Sequence, residues 1–127
     1  MTKVSRNAEE DRLQADIIDL FKVGALPSVM WFSVPNGGFR DWKTAKTMKA
    51  TGQTPGVTDI VVLDADNAAH FMEVKTKNGS LTKPQREFRD RCIAAGTPWC
   101  VVRSRAEAEA AMRDWRLLRP EFMGCAA

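Results

Sequence analysis

The sequence predicts one α/β domain in which helices flank a mixed β-sheet, with the elements in the order αβ(α)ββαβα. Two observations lead to this fold class. Some segments repeat apolar residues at the helical period, whereas others are short apolar runs rich in β-branched residues. The chain also has 127 residues, of which 44% are hydrophobic, and this suffices for one core. We expect a single domain over residues 1–119 and a flexible tail over residues 120–127.

The first half of the chain predicts a helix, a strand and a second helix. The first helix spans residues 8–23, because apolar residues line one of its faces: Leu13, Ile17, Leu20 and Phe21. Gly24 and Pro27 end this helix. A short strand is expected over residues 28–34, which read SVMWFSV. Residues 41–51 predict a short basic helix, and QTPG then breaks the chain before the next strand.

The segment GVTDIVVLDADNAAHFMEVKTK, residues 56–77, predicts two buried strands joined by a polar turn. These strands carry unusual charges, with Asp59 in the first and Glu73 and Lys75 in the second. If the strands pair as a hairpin about DADNAA, Asp59 and Glu73 come close together. Residues two apart on a strand share a face, so Lys75 points the same way as Glu73.

The last third of the chain predicts a helix, a strand and a final helix. The first of these helices covers residues 83–95, with Thr82 as its N-cap. A strand follows over residues 99–103, WCVVR. The final helix, SRAEAEAAMRDW, begins at a capping box formed by Ser104 and Glu107.

The composition argues against several classes of protein. No apolar run approaches the roughly 20 residues of a membrane helix, and the N-terminus lacks the apolar segment of a secretory signal. The three cysteines are odd in number and have no CxxC spacing, which predicts reduced thiols in the cytoplasm. A single histidine argues against a His-rich zinc site. The net charge of +3 permits an anionic partner.

The two carboxylates of the hairpin predict a metal site. Carboxylates at close range repel each other, so one takes up a proton unless a cation joins them. Carboxylates, a backbone carbonyl and water suit Mg²⁺ or Mn²⁺. The Lys75 ammonium beside such an ion would orient an attacking water, a combination that favours phosphodiester hydrolysis. The alternative is structural, with Asp59, Glu73 and Lys75 in a buried ion pair or facing water on an edge strand.

A third carboxylate is expected from the first helix. Steps of about 100° per residue place Glu10 on the face of Leu13, Ile17 and Phe21, directed at the sheet, with Glu9 at the margin of that face. Glu10 would then join the metal site. The alternative is an ordinary first-turn acid that the helix dipole favours.

Several segments together resemble the virus-type replication-repair nuclease (VRR-NUC) domain of the PD-(D/E)XK nuclease superfamily. GVTD followed by MEVKTKNGSLTKPQ is similar to the core motif of that family. The resemblance extends over residues 8–112 through five further segments: EDRLQ, VPNGGFR, TGQTPGVTD, the helix with Gln85 and CVVRS. Thr58 departs from the pattern, because relatives usually carry proline there.

The resemblance implies a restriction-endonuclease-like fold and a DNA endonuclease that uses Mg²⁺ or Mn²⁺. The implied metal ligands are Glu10, Asp59, Glu73 and the Val74 carbonyl, and the implied catalytic residues are Asp59, Glu73, Lys75 and Gln85. Gln85 also completes a capping box with Thr82, so it could serve the helix instead.

The resemblance also implies a partner, an assembly and a setting. Stand-alone relatives from phages and bacteria are similar in size, and they tend to be homodimers that act on structured DNA such as four-way (Holliday) junctions. Larger relatives carry DNA-repair modules. We therefore expect a homodimer in the cytoplasm of a bacterial or phage-infected cell.

A basic segment before the hairpin is the candidate DNA-binding surface. Its cations recur every three positions: Arg40, Lys43, Lys46 and Lys49. Each contact with a phosphate adds a salt-dependent increment of affinity. Asn36, Gly37 and Gly38 precede them and could bring backbone amides close to a phosphate. The alternatives are a solvated helix face and a plain turn.

We therefore predict a metal-dependent endonuclease for branched DNA. Two rival functions remain open at this point. One is a non-catalytic DNA-binding module of the same fold, and the other is a nuclease for single strands or DNA ends.

Overall fold

The structure is a computed structural model that describes residues 6–35, 50–52 and 54–124. This part of the chain contains the α-helices α1 (Arg6–Gly24), α2 (Lys83–Ala95) and α3 (Arg105–Asp114) and the strands β1 (Met30–Ser33), β2 (Ile60–Leu63), β3 (Ala69–Val74) and β4 (Trp99–Val102). The order is α1, β1, β2, β3, α2, β4, α3, and a short 3-10 helix follows at Pro120–Phe122. The predicted helix over residues 41–51 lies outside the described residues except at its last two positions. Among the helices described, none is long and apolar enough to cross a membrane.

The four strands form one mixed sheet in the order β1-β2-β3-β4. β1 pairs with β2, and β2 with β3, in antiparallel fashion. β3 and β4 are parallel, because α2 carries the chain from one end of the sheet back to the other. The predicted class, a mixed sheet flanked by helices, is confirmed.

The β2–β3 hairpin is set by a local turn. The Asp64 side chain accepts hydrogen bonds from the backbone N–H groups of Asp66 (2.8 Å) and Ala68 (2.9 Å). Asn67 adopts a φ of 63°, a left-handed conformation that asparagine tolerates. This turn fixes a register in which Ile60 lies opposite Met72. The hairpin about DADNAA is therefore as predicted.

The hydrophobic core lies on one face of the sheet, between the strands and the pair α1 and α3. The predicted stripe of α1 supplies Ile17, Leu20 and Phe21, all buried, while Leu13 packs at the margin. The strands and α3 complete the core with Ile60, Val62, Met72, Val74, Val102, Ala108 and Met112. The opposite face is covered by α2, whose Phe88 ring meets the Phe71 ring at 5.2 Å in an edge-on arrangement.

The chain after α3 packs against the core at several positions. Leu117 and Leu118 are buried, and the Leu117 carbonyl accepts the Leu26 N–H at 2.9 Å. Residues Pro120–Phe122 form a 3-10 helix, and Phe122 packs against the core. Apolar side chains at these positions are thus held against the end of α1.

Candidate active site

Asp59 and Glu73 meet across the β2–β3 ladder. Ile60 pairs with Met72, and both side chains point to the core face. One step along the ladder, Asp59 therefore lies opposite Glu73, and both side chains point to the opposite face of the sheet. The Val74 N–H donates to Asp59 Oδ2 at 2.9 Å. The Asp59 carboxylate therefore replaces the backbone carbonyl that would accept this N–H in a regular antiparallel ladder. The Asp59 carbonyl in turn accepts the Val34 N–H at 2.8 Å, on the β1 side. Both the backbone and the carboxylate of Asp59 are thus held in place.

Gln85 connects the start of α2 to Glu73. Its Nε2 donates to Glu73 Oε1 at 2.9 Å, and its Oε1 accepts the Thr82 N–H at 2.8 Å. The Gln85 N–H completes the predicted capping box with a bond to Thr82 Oγ1 at 3.3 Å. The two roles considered for Gln85, helix capping and contact with the site, therefore coexist. The cap fixes which atom of the amide is directed at Glu73.

The environment of Glu73 favours its neutral form. The residue is only 2% exposed. Burial, followed by the negative charge and hydrogen bonding of Asp59, raises the pKa of Glu73 to about 9, whereas Lys75 lowers this pKa less strongly. At neutral pH Glu73 is therefore protonated in the metal-free protein. This is the state expected of two close carboxylates that no cation joins.

Lys75 shares the face of Glu73, as predicted, and is 7% exposed. Its backbone N–H donates to the Val102 carbonyl at 3.0 Å, which extends the β3–β4 ladder by one residue. The ion pairs found among the described residues do not involve its amine. The amine therefore closes no ion pair with Asp59 or Glu73, although its charge acts on Glu73 and lowers the pKa of that residue. That leaves it able to contact a ligand.

The carboxylate pair is a partial donor set for a hard cation. Asp59 Oδ2 accepts the Val74 N–H and Glu73 Oε1 accepts Gln85 Nε2, so two protein donors orient the carboxylates for a ligand that would replace their shared proton. The N–H and C=O of a strand residue point to the same neighbour, so the Val74 carbonyl is directed to the Asp59 side. Oxygen donors of this kind fit Mg²⁺ or Mn²⁺.

Glu10 is half-buried on α1. In the part of the chain that the structure describes, no three or more His, Cys, Asp or Glu residues form a group that could hold a metal ion. The structure thus does not gather Glu10, Asp59 and Glu73 into one such cluster. A ligand role for Glu10 stays a prediction.

Gly56 brings the segment before β2 against the first turn of α2, a contact that the sequence interpretation missed. Its φ is 75°, and a Cβ built on it would lie 2.3 Å from the Pro84 carbonyl carbon and 2.6 Å from the Gln85 nitrogen. Only glycine permits this approach. The segments that carry Asp59 and Gln85 are therefore held together at this point. The PG pair signalled a turn in the sequence, but not the close packing.

Thr58 is completely buried, and its hydroxyl has no hydrogen-bond partner in the structure described. Strand alternation places Thr58 on the face of Ile60, away from Asp59. The hydroxyl therefore belongs to the core face and not to the carboxylate pair. This position is the one at which the sequence departs from the usual proline.

The predicted DNA-binding residues lie outside the described residues: Asn36, Gly37, Gly38, Arg40, Lys43, Lys46 and Lys49. Their role stays a prediction from the sequence.

Comparison with known proteins agrees with the resemblance seen in the motifs. The sequence profile of the VRR-NUC domain matches residues 7–106. A solved structure described as a VRR_NUC domain is similar in fold, with a TM-score of 0.59 and 18% sequence identity, and the match covers 84% of this chain and 97% of that one. No curated protein matches the chain. The profile match spans most of the sequence and includes Asp59, Glu73, Lys75 and Gln85. The chain therefore belongs to the VRR-NUC domain family.

Proposed function

We propose that this chain is a Mg²⁺- or Mn²⁺-dependent endonuclease that hydrolyses phosphodiester bonds in branched DNA, such as four-way junctions. Its family makes it a nuclease-type domain that acts on DNA. The observation that carries the finer proposal is the meeting of two carboxylates across β2 and β3, with a lysine on the same face. Structural ion pairing explains this arrangement poorly, because Lys75 pairs with neither acid.

The divalent ion would supply a water of lowered pKa, and its ligands would be Asp59, Glu73 and the Val74 carbonyl, with Glu10. The chain's own residues set the geometry around it. The Val74 N–H orients Asp59, and Gln85 Nε2 orients Glu73. The Lys75 amine would hold the attacking water and stabilise negative charge on the phosphate as it develops.

The DNA backbone would be held by the basic segment of Arg40, Lys43, Lys46 and Lys49, with the amides of Asn36, Gly37 and Gly38 against a phosphate. A symmetric homodimer would present two active sites, one for each strand of a junction. Changing Lys43 and Lys46 to alanine should weaken binding to all DNA sequences alike and flatten its salt dependence.

The proposal is tested by a cleavage assay on four substrates: duplex, single-stranded, flap and four-way junction DNA. Each is incubated with Mg²⁺, with Mn²⁺ and with a chelator. We expect metal-dependent cuts that are fastest on the junction. Cleavage in the presence of the chelator would contradict the metal requirement, and faster cleavage of single strands or ends would contradict the choice of substrate. Tight, salt-sensitive binding without cleavage under any condition would favour a non-catalytic DNA-binding module.

A further inference from the structure

A second cation lies beside Lys75. In the parallel pairing of β3 and β4, Glu73 lies opposite Val101 and Val74 lies opposite Val102. The hydrogen bond from the Lys75 N–H to the Val102 carbonyl extends this register by one residue. Arg103 is therefore the neighbour of Lys75 on the adjacent strand and shares its face. Among the described residues, neither side chain has a carboxylate ion-pair partner. Like charges on adjacent strands destabilise a sheet, so another interaction must hold Arg103 at this position.

The Arg103 guanidinium is used to close a turn. Its Nη1 donates to the Thr76 carbonyl at 2.7 Å and to the Gly79 carbonyl at 2.6 Å. The turn also has its own backbone hydrogen bond, in which the Gly79 N–H donates to the Thr76 carbonyl at 3.1 Å. Arg103 thus ties the end of β4 to both ends of the turn that follows Lys75. Hydrogen bonds from a charged donor are stronger than those between neutral groups.

This turn forms a wall beside the Lys75 side chain. A Cβ built on the buried Gly79 would lie 3.6 Å from Lys75 Cδ and 3.1 Å from Thr76 Oγ1. The Gly79 backbone therefore limits where the lysine stem can lie. A change in the turn would move the amine at the end of that stem.

We propose that Arg103 is a positioning residue for Lys75. It acts through the turn of residues 76–79 and holds the lysine amine at the carboxylate pair, without itself touching the substrate. This inference rests on the proposed nuclease function for its catalytic consequence, but its structural part can be tested without activity.

The kinetic test compares Arg103→Ala with Arg103→Lys on the full chain, using the best substrate of the cleavage assay. Because small misplacements of a catalytic group are costly, Arg103→Ala should lower kcat about 10- to 100-fold with little change in KM. Arg103→Lys should recover much of the lost rate, since an ammonium can donate to the same carbonyls. The control is Arg119→Ala, which removes another arginine–carbonyl bond, from Arg119 Nε to the Ala25 carbonyl (3.2 Å).

Unfolding midpoints are measured for all three variants, so that a loss of folded protein is not counted as a loss of rate. An unchanged kcat in folded Arg103→Ala, or an equal loss in Arg119→Ala, would overturn the inference and leave the nuclease proposal intact. A wild-type chain that cuts no DNA would instead overturn the nuclease proposal.

The structural test measures amide hydrogen exchange by NMR and needs no activity. In Arg103→Ala the Gly79 amide should exchange at least about tenfold faster, because a turn with fewer bonds opens more often. The Asn67 amide, which donates to the Asp64 carbonyl in the β2–β3 turn at 2.9 Å, serves as the control and should not change. Equal protection of Gly79 in wild type and variant would show that Arg103 does not hold the turn.

A second variant covers the case in which Arg103→Ala does not fold. Gly79→Ala places a methyl group 3.1 Å from Thr76 Oγ1, so the turn must shift, and the change leaves Arg103 in place. It should also lower kcat with little change in KM. A Gly79→Ala protein with the wild-type kcat would show that the turn does not control the lysine.

Discussion

Both faces of the sheet pack apolar side chains, but the face toward α2 also buries charged ones. On one face, β2, β3 and β4 present apolar side chains to α1 and α3, and Phe21, Met72 and Met112 are almost completely buried. On the other face, the neighbouring residues of β3 are Glu73 and Lys75, both buried, with Asp59 opposite. Alternation along a strand thus separates an apolar core from a charged site by one residue.

The apolar face mainly stabilises the fold, and the charged face carries the groups proposed for the chemistry. A fully buried large apolar side chain contributes roughly 1.5–3 kcal/mol. Glu73, by contrast, lies in an environment where burial and the neighbouring Asp59 raise its pKa to about 9. The charged face therefore weakens the metal-free fold, and the apolar face offsets this. Substitutions on the two faces should then separate activity from stability.

The largest effect is expected on the charged face, from Lys75→Met. Methionine keeps the buried stem but removes the amine, so cleavage should fall by about 10²- to 10³-fold, the range for loss of a donor that stabilises charge in the transition state. DNA affinity and the unfolding midpoint should change little. Lys22→Met, which changes an exposed lysine near the end of α1, is the control. A cleavage rate near that of the wild type would show that the amine of Lys75 is not catalytic.

On the core face, Met112→Ala should lower the free energy of unfolding by about 2–5 kcal/mol, because it leaves a cavity in a close-packed region. The rate per folded molecule should not change. Denaturant unfolding measures the free energy of unfolding. Single-turnover cleavage, divided by the concentration of folded protein, measures the rate per folded molecule. Ile93→Ala, which truncates a side chain that is 66% exposed, should alter neither. A changed rate per folded Met112→Ala molecule would mean that the two faces are coupled.

The pH dependence of stability should show the cost of the buried carboxylate. The pKa of Glu73 rises from 4.5 to about 9 on folding, so between these values the folded chain binds a proton that the unfolded chain has lost. Stability without metal should therefore fall as pH rises through this window. Glu73→Gln, which cannot titrate, should remove the slope and stabilise the metal-free protein by on the order of 2–4 kcal/mol at about pH 7.5.

Thermal unfolding of wild type and Glu73→Gln across this pH range, in the presence of a chelator, measures the difference. Glu87→Gln, an exposed acid on α2, is the control. Parallel curves for wild type and Glu73→Gln would contradict the buried, protonated glutamate.

The smallest effect is expected from Thr58→Val on the core face. The Thr58 hydroxyl is buried without a partner, and a methyl group of similar shape needs none. The variant should be more stable by about 1 kcal/mol and should cut DNA at the wild-type rate. A loss of cleavage would place the hydroxyl in the site.

Local patterns predicted the centre of the site well. The polar turn between two apolar runs set the hairpin, and the hairpin set Asp59 against Glu73. Alternation then placed Lys75, and the spacing of Thr82 and Gln85 gave the capping box. Each of these follows from residues close in sequence, or from one strand pairing.

Contacts between distant segments were not predictable in the same way. Nothing near Gly56 in the sequence indicates that it packs on Pro84, and nothing near Arg103 indicates the carbonyls of Thr76 and Gly79. The burial of Leu117 against the end of α1 is of the same kind. Such contacts depend on how helices, strands and loops pack together, and the residue periodicity within one element does not indicate how it packs against another.

The central claim is that Asp59 and Glu73 together hold one divalent ion. Calorimetric titration of the DNA-free protein with Mn²⁺, in buffers of different ionisation enthalpy near pH 7, tests it directly. We predict binding that releases about one proton, because the ion displaces the proton held by the carboxylate pair. Asp59→Asn should abolish this binding. Mn²⁺ affinity that is equal in wild type and Asp59→Asn, or binding without proton release, would contradict the account.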